Sequence, residues 1–172
     1  SGAGKSSILR AIAGLWVTGH GRVVRPGFSD MMFLPQRPYV PASTLRDALC
    51  YPRTRSCATD SELIAHLKLV NLADLPARVG GLDVERNWRE FLSVGEQQRL
   101  SFARLLMARP RYAIVDEATS ALDVDNEKLL YTILAASGST LISVGHRPSL
   151  VEHHSLVLEL IGDGSWRLIH RN

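Results

Sequence analysis

Ser1-Gly2-Ala3-Gly4-Lys5-Ser6-Ser7 gathers small residues, a lysine and hydroxyls just before a segment of helical apolar period. That set suits an anionic phosphate chain. Glycines let backbone N–H groups close around the oxygens, and the amino end of the following helix adds positive potential. Lys5 can reach the terminal phosphates, and the Ser6 hydroxyl can ligate Mg²⁺. The segment reads as the back half of a P-loop, whose first glycine and feeding strand are expected upstream of Ser1. The competing reading is a Gly/Ser-rich turn that only caps a helix; alone, the motif says no more than "NTPase".

A second set follows an apolar run. Tyr112-Ala113-Ile114-Val115-Asp116-Glu117 ends in adjacent acids, where a buried carboxylate is costly unless it serves a cation. Asp116 suits a Mg²⁺ ligand, direct or through water. Glu117 then faces the terminal phosphate, where it can orient and partly deprotonate an attacking water. The plain alternative is an acid pair capping the next helix. Between the two sets lies Leu92-Ser93-Val94-Gly95-Glu96-Gln97-Gln98-Arg99, directly before a long amphipathic segment. Ser93 and Gly95 at a helix amino end offer a hydroxyl and backbone N–H groups to an anion. Gln36 and His146 read, in isolation, as a polar loop residue and a surface or capping histidine.

Their combination is more specific. The octet 92–99 resembles the signature motif of ABC ATPases, and Ser120-Ala121-Leu122-Asp123 is similar to their D-loop. Gln36 resembles the Q-loop glutamine, and His146, after the strand ending at Val144, the switch histidine. The resemblance, in the family's motif order over nearly the whole chain, implies ATP and Mg²⁺ as ligands. It places Ser1, Gly2, Ala3, Gly4, Lys5, Ser6, Ser7, Ser93, Gly95, Glu96 and Asp123 at the nucleotide, and Ser6, Gln36 and Asp116 at the metal. It makes Glu117, His146 and Gln36 the catalytic group, with Gln36 also meeting the membrane domain. In that family the signature serves the ATP on the opposite subunit's P-loop, so one copy of each motif implies a head-to-tail dimer. Val94 and Glu96 depart from the commonest signature, where glycine and glutamine stand. Ser93 and Gly95 remain, so a working half-site is expected.

These side chains need elements to hold them. Ile8, Leu9, Ile12, Leu15 and Trp16 recur at helical spacing from Ser6 to Trp16, predicting a helix that opens from the glycine loop, with Gly14 and Gly19 to Gly21 breaking the pattern. Met31 to Leu34 predicts a short strand stopped by Pro35, with a proline-rich loop to Pro41. Ser43/Thr44 can cap a short helix through Leu49. Asp60 can cap another with Leu63, Ile64, Leu67 and Val70 on its apolar face. Residues 43–91 thus read as a helical subdomain, with Trp88 a structural aromatic within it. A long helix over 95–108 ends at Pro110, and a strand covers Tyr112 to Val115. A helix over 126–136, a strand over Thr140 to Val144 and a short helix over 149–154 follow. Strands over 156–161 and 166–169, joined through Gly162-Asp163-Gly164, close the chain. Alternating strands and helices imply an α/β fold with a mainly parallel sheet and ligands at the strands' carboxyl ends. With the motifs, the expected fold is a P-loop NTPase of ABC type spanning 1–172, its amino-terminal strands lying outside the sequence.

Composition sets bounds on partners. With 172 residues, 45% of them hydrophobic, the chain can build one domain core. A net charge of +3 with both signs interspersed argues for no nucleic-acid partner. Cys50 and Cys57 suggest neither a metal site nor a disulfide framework, which favours a reducing cytosol. No apolar run reaches the length of a membrane span. Arg53, Arg55, Arg109 and Arg111 read as solvated surface, and His153-His154 lacks metal-ligand spacing.

Finer resemblance lies in Leu34-Pro35-Gln36-Arg37-Pro38-Tyr39, Thr44 to Pro52, Ile142 to Leu150 and Gly162 to Trp166. These resemble the class D half-transporters of peroxisomes and lysosomes and their bacterial relatives, which fuse a membrane domain to this ATPase and carry acyl-CoA esters, cobalamin or peptides. A bacterial member related to the cobalamin and peptide transporters is expected, its ATPase facing the cytoplasm at the inner membrane. The alternative is a soluble ABC ATPase of DNA repair or translation, which would carry long coiled coils or tandem ATPase copies. A third reading, a nucleotide-binding module that has lost hydrolysis, is opposed by Lys5, Asp116, Glu117 and His146 together.

Overall fold

The computed structural model describes residues 4–16, 18–53, 58–161 and 163–171. Gly4, in the left-handed region at φ 90°, precedes helix α1 (Lys5–Ile12), and its carbonyl accepts the Ile8 N–H at 3.1 Å. Left-handed backbone costs glycine nothing and other residues a good deal. The expected run to Trp16 is shorter by a turn: Gly14 turns at φ 70°, and Leu15 and Trp16 are exposed.

Strand β1 (Met31–Leu34) begins where expected, and residues 35–42 hold no helix or strand. A two-residue strand β2 (Ser43–Thr44) leads into α2 (Leu45–Cys50), capped by the Thr44 side chain on the Asp47 N–H. Helix α3 (Asp60–Leu69) is capped by Thr59 rather than by Asp60, because Glu62 reaches back to the Thr59 N–H and closes a capping box. Its face is Leu63, Leu67 and Val70; Ile64 points out. After α4 (Leu75–Val79), strand β3 (Glu85–Arg86) pairs antiparallel with β2, a ladder too short for the sequence pattern to betray. Arg46 of α2 ties these pieces together through Asp60 and Asp83. Cys50 is disulfide-bonded, contrary to the expectation that the two cysteines suggest no disulfide framework; Cys57 lies outside the described residues.

Helix α5 (Trp88–Phe91) buries Trp88 completely, and the indole Nε1–H donates to the Ser43 carbonyl at 2.9 Å. That bond answers the only polar atom of the ring. Helix α6 (Val94–Ala108) follows its Ser93 cap, then strand β4 (Tyr112–Asp116), α7 (Val124–Ala136) and strand β5 (Thr140–Val144). The expected short helix is a 3₁₀ turn over Pro148–His153. Strands β6 (Leu156–Leu160) and β7 (Trp166–His170) form an antiparallel hairpin whose connection includes Gly162, outside the described residues.

Strands β1, β4 and β5 form a parallel sheet in the order β1-β4-β5. Their alternation divides the apolar residues between two faces. Leu34, Ala113 and Val115, with Met32 and Leu141, join the large core under α6 and α7, which is continuous with Leu45, Leu63, Leu67 and Trp88. Met31 and Ile114, with Phe33, Ile142 and Val144, meet Leu9 and Ile12 of α1 on the other side. No helix among the described residues is long and apolar enough to cross a membrane.

Candidate nucleotide site

Parallel strands deliver their carboxyl ends to one edge of the sheet, and the chemistry collects there. Gln36 follows β1, Asp116 ends β4, Glu117 follows it, and His146 lies two residues beyond β5. The Gln36 amide donates to Glu117 Oε2 at 3.0 Å, and His146 Nε2 lies 2.7 Å from Glu117 Oε1. Each carboxylate oxygen thus receives one partner and keeps a lone pair for another donor. Beside them the Ser6 hydroxyl, in the first turn of α1, donates to Asp116 Oδ1 at 3.2 Å.

Backbone conformation aims Glu117. Its φ is 49°, left-handed for a residue with a full side chain, an arrangement that costs of order 1–3 kcal/mol and persists because its neighbours enforce it. The Glu117 N–H donates to the Val144 carbonyl at 2.9 Å, and its own carbonyl accepts the Ser120 N–H at 3.1 Å. The chain leaving β4 is thereby bent at Glu117, and the carboxylate is carried toward the ends of β1 and β5.

Ser93 to Asp123 form a second group. Ser93 Oγ accepts the Glu96 N–H at 3.2 Å while Glu96 Oε2 accepts the Ser93 N–H at 2.9 Å, a capping box that starts α6. Glu96 Oε1 also takes a bond from Arg78 at 2.6 Å. Partial burial works against its charge, but the bonds from Arg78 and Ser93 outweigh it and hold the carboxyl below its ordinary range. Gly95 stands close to the neighbouring segment: a Cβ there would lie 3.2 Å from the Ala121 carbonyl oxygen, a contact that the backbone would have to ease by a few tenths of an ångström. The signature helix and the segment 118–123 therefore approach to backbone distance. Asp123 caps α7 through the Asn126 N–H, and the bonds from Asn126 hold its carboxyl low.

Lys5 opens α1, and Ser7 is half-buried within it. Ser1, Gly2 and Ala3 lie outside the described residues. Asp116 and Ser6 place two hard oxygens side by side, which fits a Mg²⁺ that takes few protein ligands and completes its shell from phosphate and water.

Sequence reasoning passed over the residues that join the two groups. Gln98, only 1% exposed, donates to the Gln36 carbonyl at 3.1 Å and to Ser120 Oγ at 3.3 Å, and accepts the Ala121 N–H at 3.1 Å. A buried glutamine on the inner face of a helix is a visible signal in the octet, but its partners are more than 20 positions away. Glu127 and Arg147, equally overlooked, bind the same segment from the other side. His153 and His154 pack on Tyr131, and His154 Nε2 bonds Ser143 Oγ, so both are structural. Arg104, buried under Tyr39 and Ala48 carbonyls, has its pKa lowered by burial to about 10.

Comparison with known proteins agrees with this geometry. The family model described as "ABC transporter" matches residues 1–120. The chain belongs to the ABC transporter family. It is 55% identical over 168 residues to an uncharacterized ABC transporter ATP-binding protein of Synechocystis sp., covering 98% of this chain and 25% of that protein. It is 46% identical over 179 residues to the human lysosomal cobalamin transporter ABCD4, covering 98% of this chain and 30% of that protein. Among solved structures, a bacterial Atm1-family ABC exporter with ATP bound matches with a TM-score of 0.80 and 31% identity, covering 94% of this chain and 31% of the other. The chain therefore has the ABC-type P-loop NTPase fold, and it spans between a quarter and a third of the length of these ABC relatives.

Proposed function

We propose that this chain is the ATP-hydrolysing domain of an ABC half-transporter of the class D type, its residues 43–91 forming a helical subdomain. One observation carries the reading: the Glu117 carboxylate sits across the ends of three parallel strands, bonded by Gln36 and His146, beside the Ser6–Asp116 pair. Glu117 takes the proton of an attacking water through a free lone pair, and Gln36 and His146 fix its orientation. Lys5 and the helix amino end bind the phosphates. Mg²⁺, which when bound neutralises phosphate charge, is held by Ser6 and Asp116 with Gln36 nearby. Binding of a second copy head to tail places Ser93, Gly95, Glu96 and Asp123 against the nucleotide on the partner's Lys5. The partner in the membrane is a fused or associated transmembrane domain, with this chain on the cytoplasmic side of a bacterial inner membrane. The kinship with ABCD proteins and an exporter disfavours a soluble role in DNA repair or translation.

Mixed dimers test the shared site. In the full-length protein, Lys5→Ala should weaken ATP binding at least roughly tenfold, and Ser93→Arg should impair hydrolysis through the partner's nucleotide. Mixing the two variants leaves one composite site with both lesions and one with neither, so activity should return in part. Absence of any ATP-dependent association in the wild-type protein would refute the shared site.

A further inference from the structure

Glu127, on α7, is 2% exposed, yet it carries a carboxylate with three donors on it. The Thr119 hydroxyl donates to Oε2 at 2.7 Å, Arg147 NH1 to the same oxygen at 3.2 Å, and the Ser149 hydroxyl to Oε1 at 2.8 Å. Arg147 spends the other arm of its guanidinium on backbone: NH2 donates to the Leu122 carbonyl at 2.9 Å and lies 3.4 Å from that of Ser120. Thr119, Ser120 and Leu122 belong to the segment between Glu117 and Asp123. Arg147 and Ser149 immediately follow His146. One buried anion thus joins the chain leaving Glu117 to the chain leaving His146.

Stability alone does not call for such a device. Glu127 is buried while the Arg147 side chain is 35% exposed, so desolvation of the carboxylate offsets much of what the pair gains in stability. A fully bonded polar network in a low dielectric does fix one geometry. Arg147 is suited to this, since its planar fork can hold a carboxylate and a carbonyl at once, which an ammonium cannot. The opposite side of the segment is held by Gln98 on Ser120 and Ala121.

We infer that Arg147, seated on Glu127, is a positioning residue that locks the D-loop to the segment carrying His146, so that both reach the nucleotide in register. The inference rests on the ATPase reading above. It acts on turnover rather than on nucleotide binding, because neither Arg147 nor Glu127 bonds the Ser6–Asp116 pair.

Steady-state hydrolysis by the full-length protein, wild type beside Arg147→Lys, reads the effect. Lysine keeps the charge beside Glu127 but loses the fork. Expected are a kcat at least about tenfold lower, a KM for ATP within about twofold, and a thermal midpoint close to wild type. The double variant Arg147→Gln with Glu127→Gln, which removes both charges of the pair together, should show the same split and covers the case in which lysine does not fold. A wild-type kcat in either folded variant, or a loss shared equally by kcat and KM, overturns the role. Glu117→Gln assayed alongside separates the two ideas. If the wild-type protein itself hydrolyses no ATP, the ATPase reading fails; if wild type hydrolyses ATP and Glu117→Gln is inactive while the Arg147 variants are not, only the positioning role fails.

Discussion

The two faces of the sheet are built differently. Under α6 and α7, Leu34, Ala113 and Val115 vanish into a core that runs on to Trp88 and Leu67. Under α1, the buried core among the described residues is small, made of Leu9, Met31 and Ile114, and a cavity of about 670 Å³ opens between α1, β5 and β6. The hairpin beyond it leaves Leu158, Trp166 and Leu168 exposed. The difference separates two ways of holding a functional group. Glu117 and the segment after it are fixed from the packed side, by the left-handed turn and by Gln98, Glu127 and Arg147. Ser6 stands on an eight-residue helix whose link to Asp116 is a single 3.2 Å bond. Packing and buried polar bonds place the catalytic loops.

Truncation on each side should expose that contrast most. Trp88→Ala removes a wholly buried indole and the bond to Ser43, and should cost about 3–5 kcal/mol. Trp166→Ala removes a ring that is 64% exposed and should stay within about 1 kcal/mol. Denaturant titrations of both variants make the comparison, and similar losses would mean that the hairpin face is as well packed as the core.

Smaller is Gln98→Leu, which keeps the volume but strands the Ala121 N–H and the Gln36 carbonyl; about 1–3 kcal/mol should be lost, with slower turnover. Unchanged stability and unchanged kcat together would show that the polar bridge between the groups is dispensable.

The least effect belongs to Glu96→Gln, which keeps an acceptor for the cap but loses the charge facing Arg78, about 0.5–1 kcal/mol near neutral pH. Its sign with pH follows from the depressed carboxyl. The folded state holds Glu96 below its ordinary 4.5, so the stabilisation is present above that pH and fades as pH falls through the folded value. The gap between wild type and variant should therefore close between about pH 6 and pH 3. A gap that widened on acidification would place the charge elsewhere.

Motif and period made much of this legible. Strands β1, β4 and β5 stand within a residue of their expected bounds because short apolar runs between breakers leave little choice. The meeting of Gln36, Glu117 and His146 follows from parallel strands that all end on one edge. Less visible were effects that need a third dimension. Leu15 and Trp16 kept helical spacing while Gly14 had already ended α1. Thr59 outcompeted Asp60 as a cap because Glu62 could close the box. Gln98 stood in the octet, but its partners, like those of Glu127 and Arg147, lie on segments brought near only by folding.

Replacing Glu117 by Gln tests the central claim most directly, because the amide keeps the shape and the bond from His146 but has no basic oxygen to take the water's proton. In the full-length protein, ATP should bind with an affinity within about threefold of wild type while turnover falls at least about a hundredfold, some 2.7 kcal/mol of barrier. Turnover within about threefold of wild type, less than 1 kcal/mol, would contradict the assignment of Glu117 as the base at the strand ends.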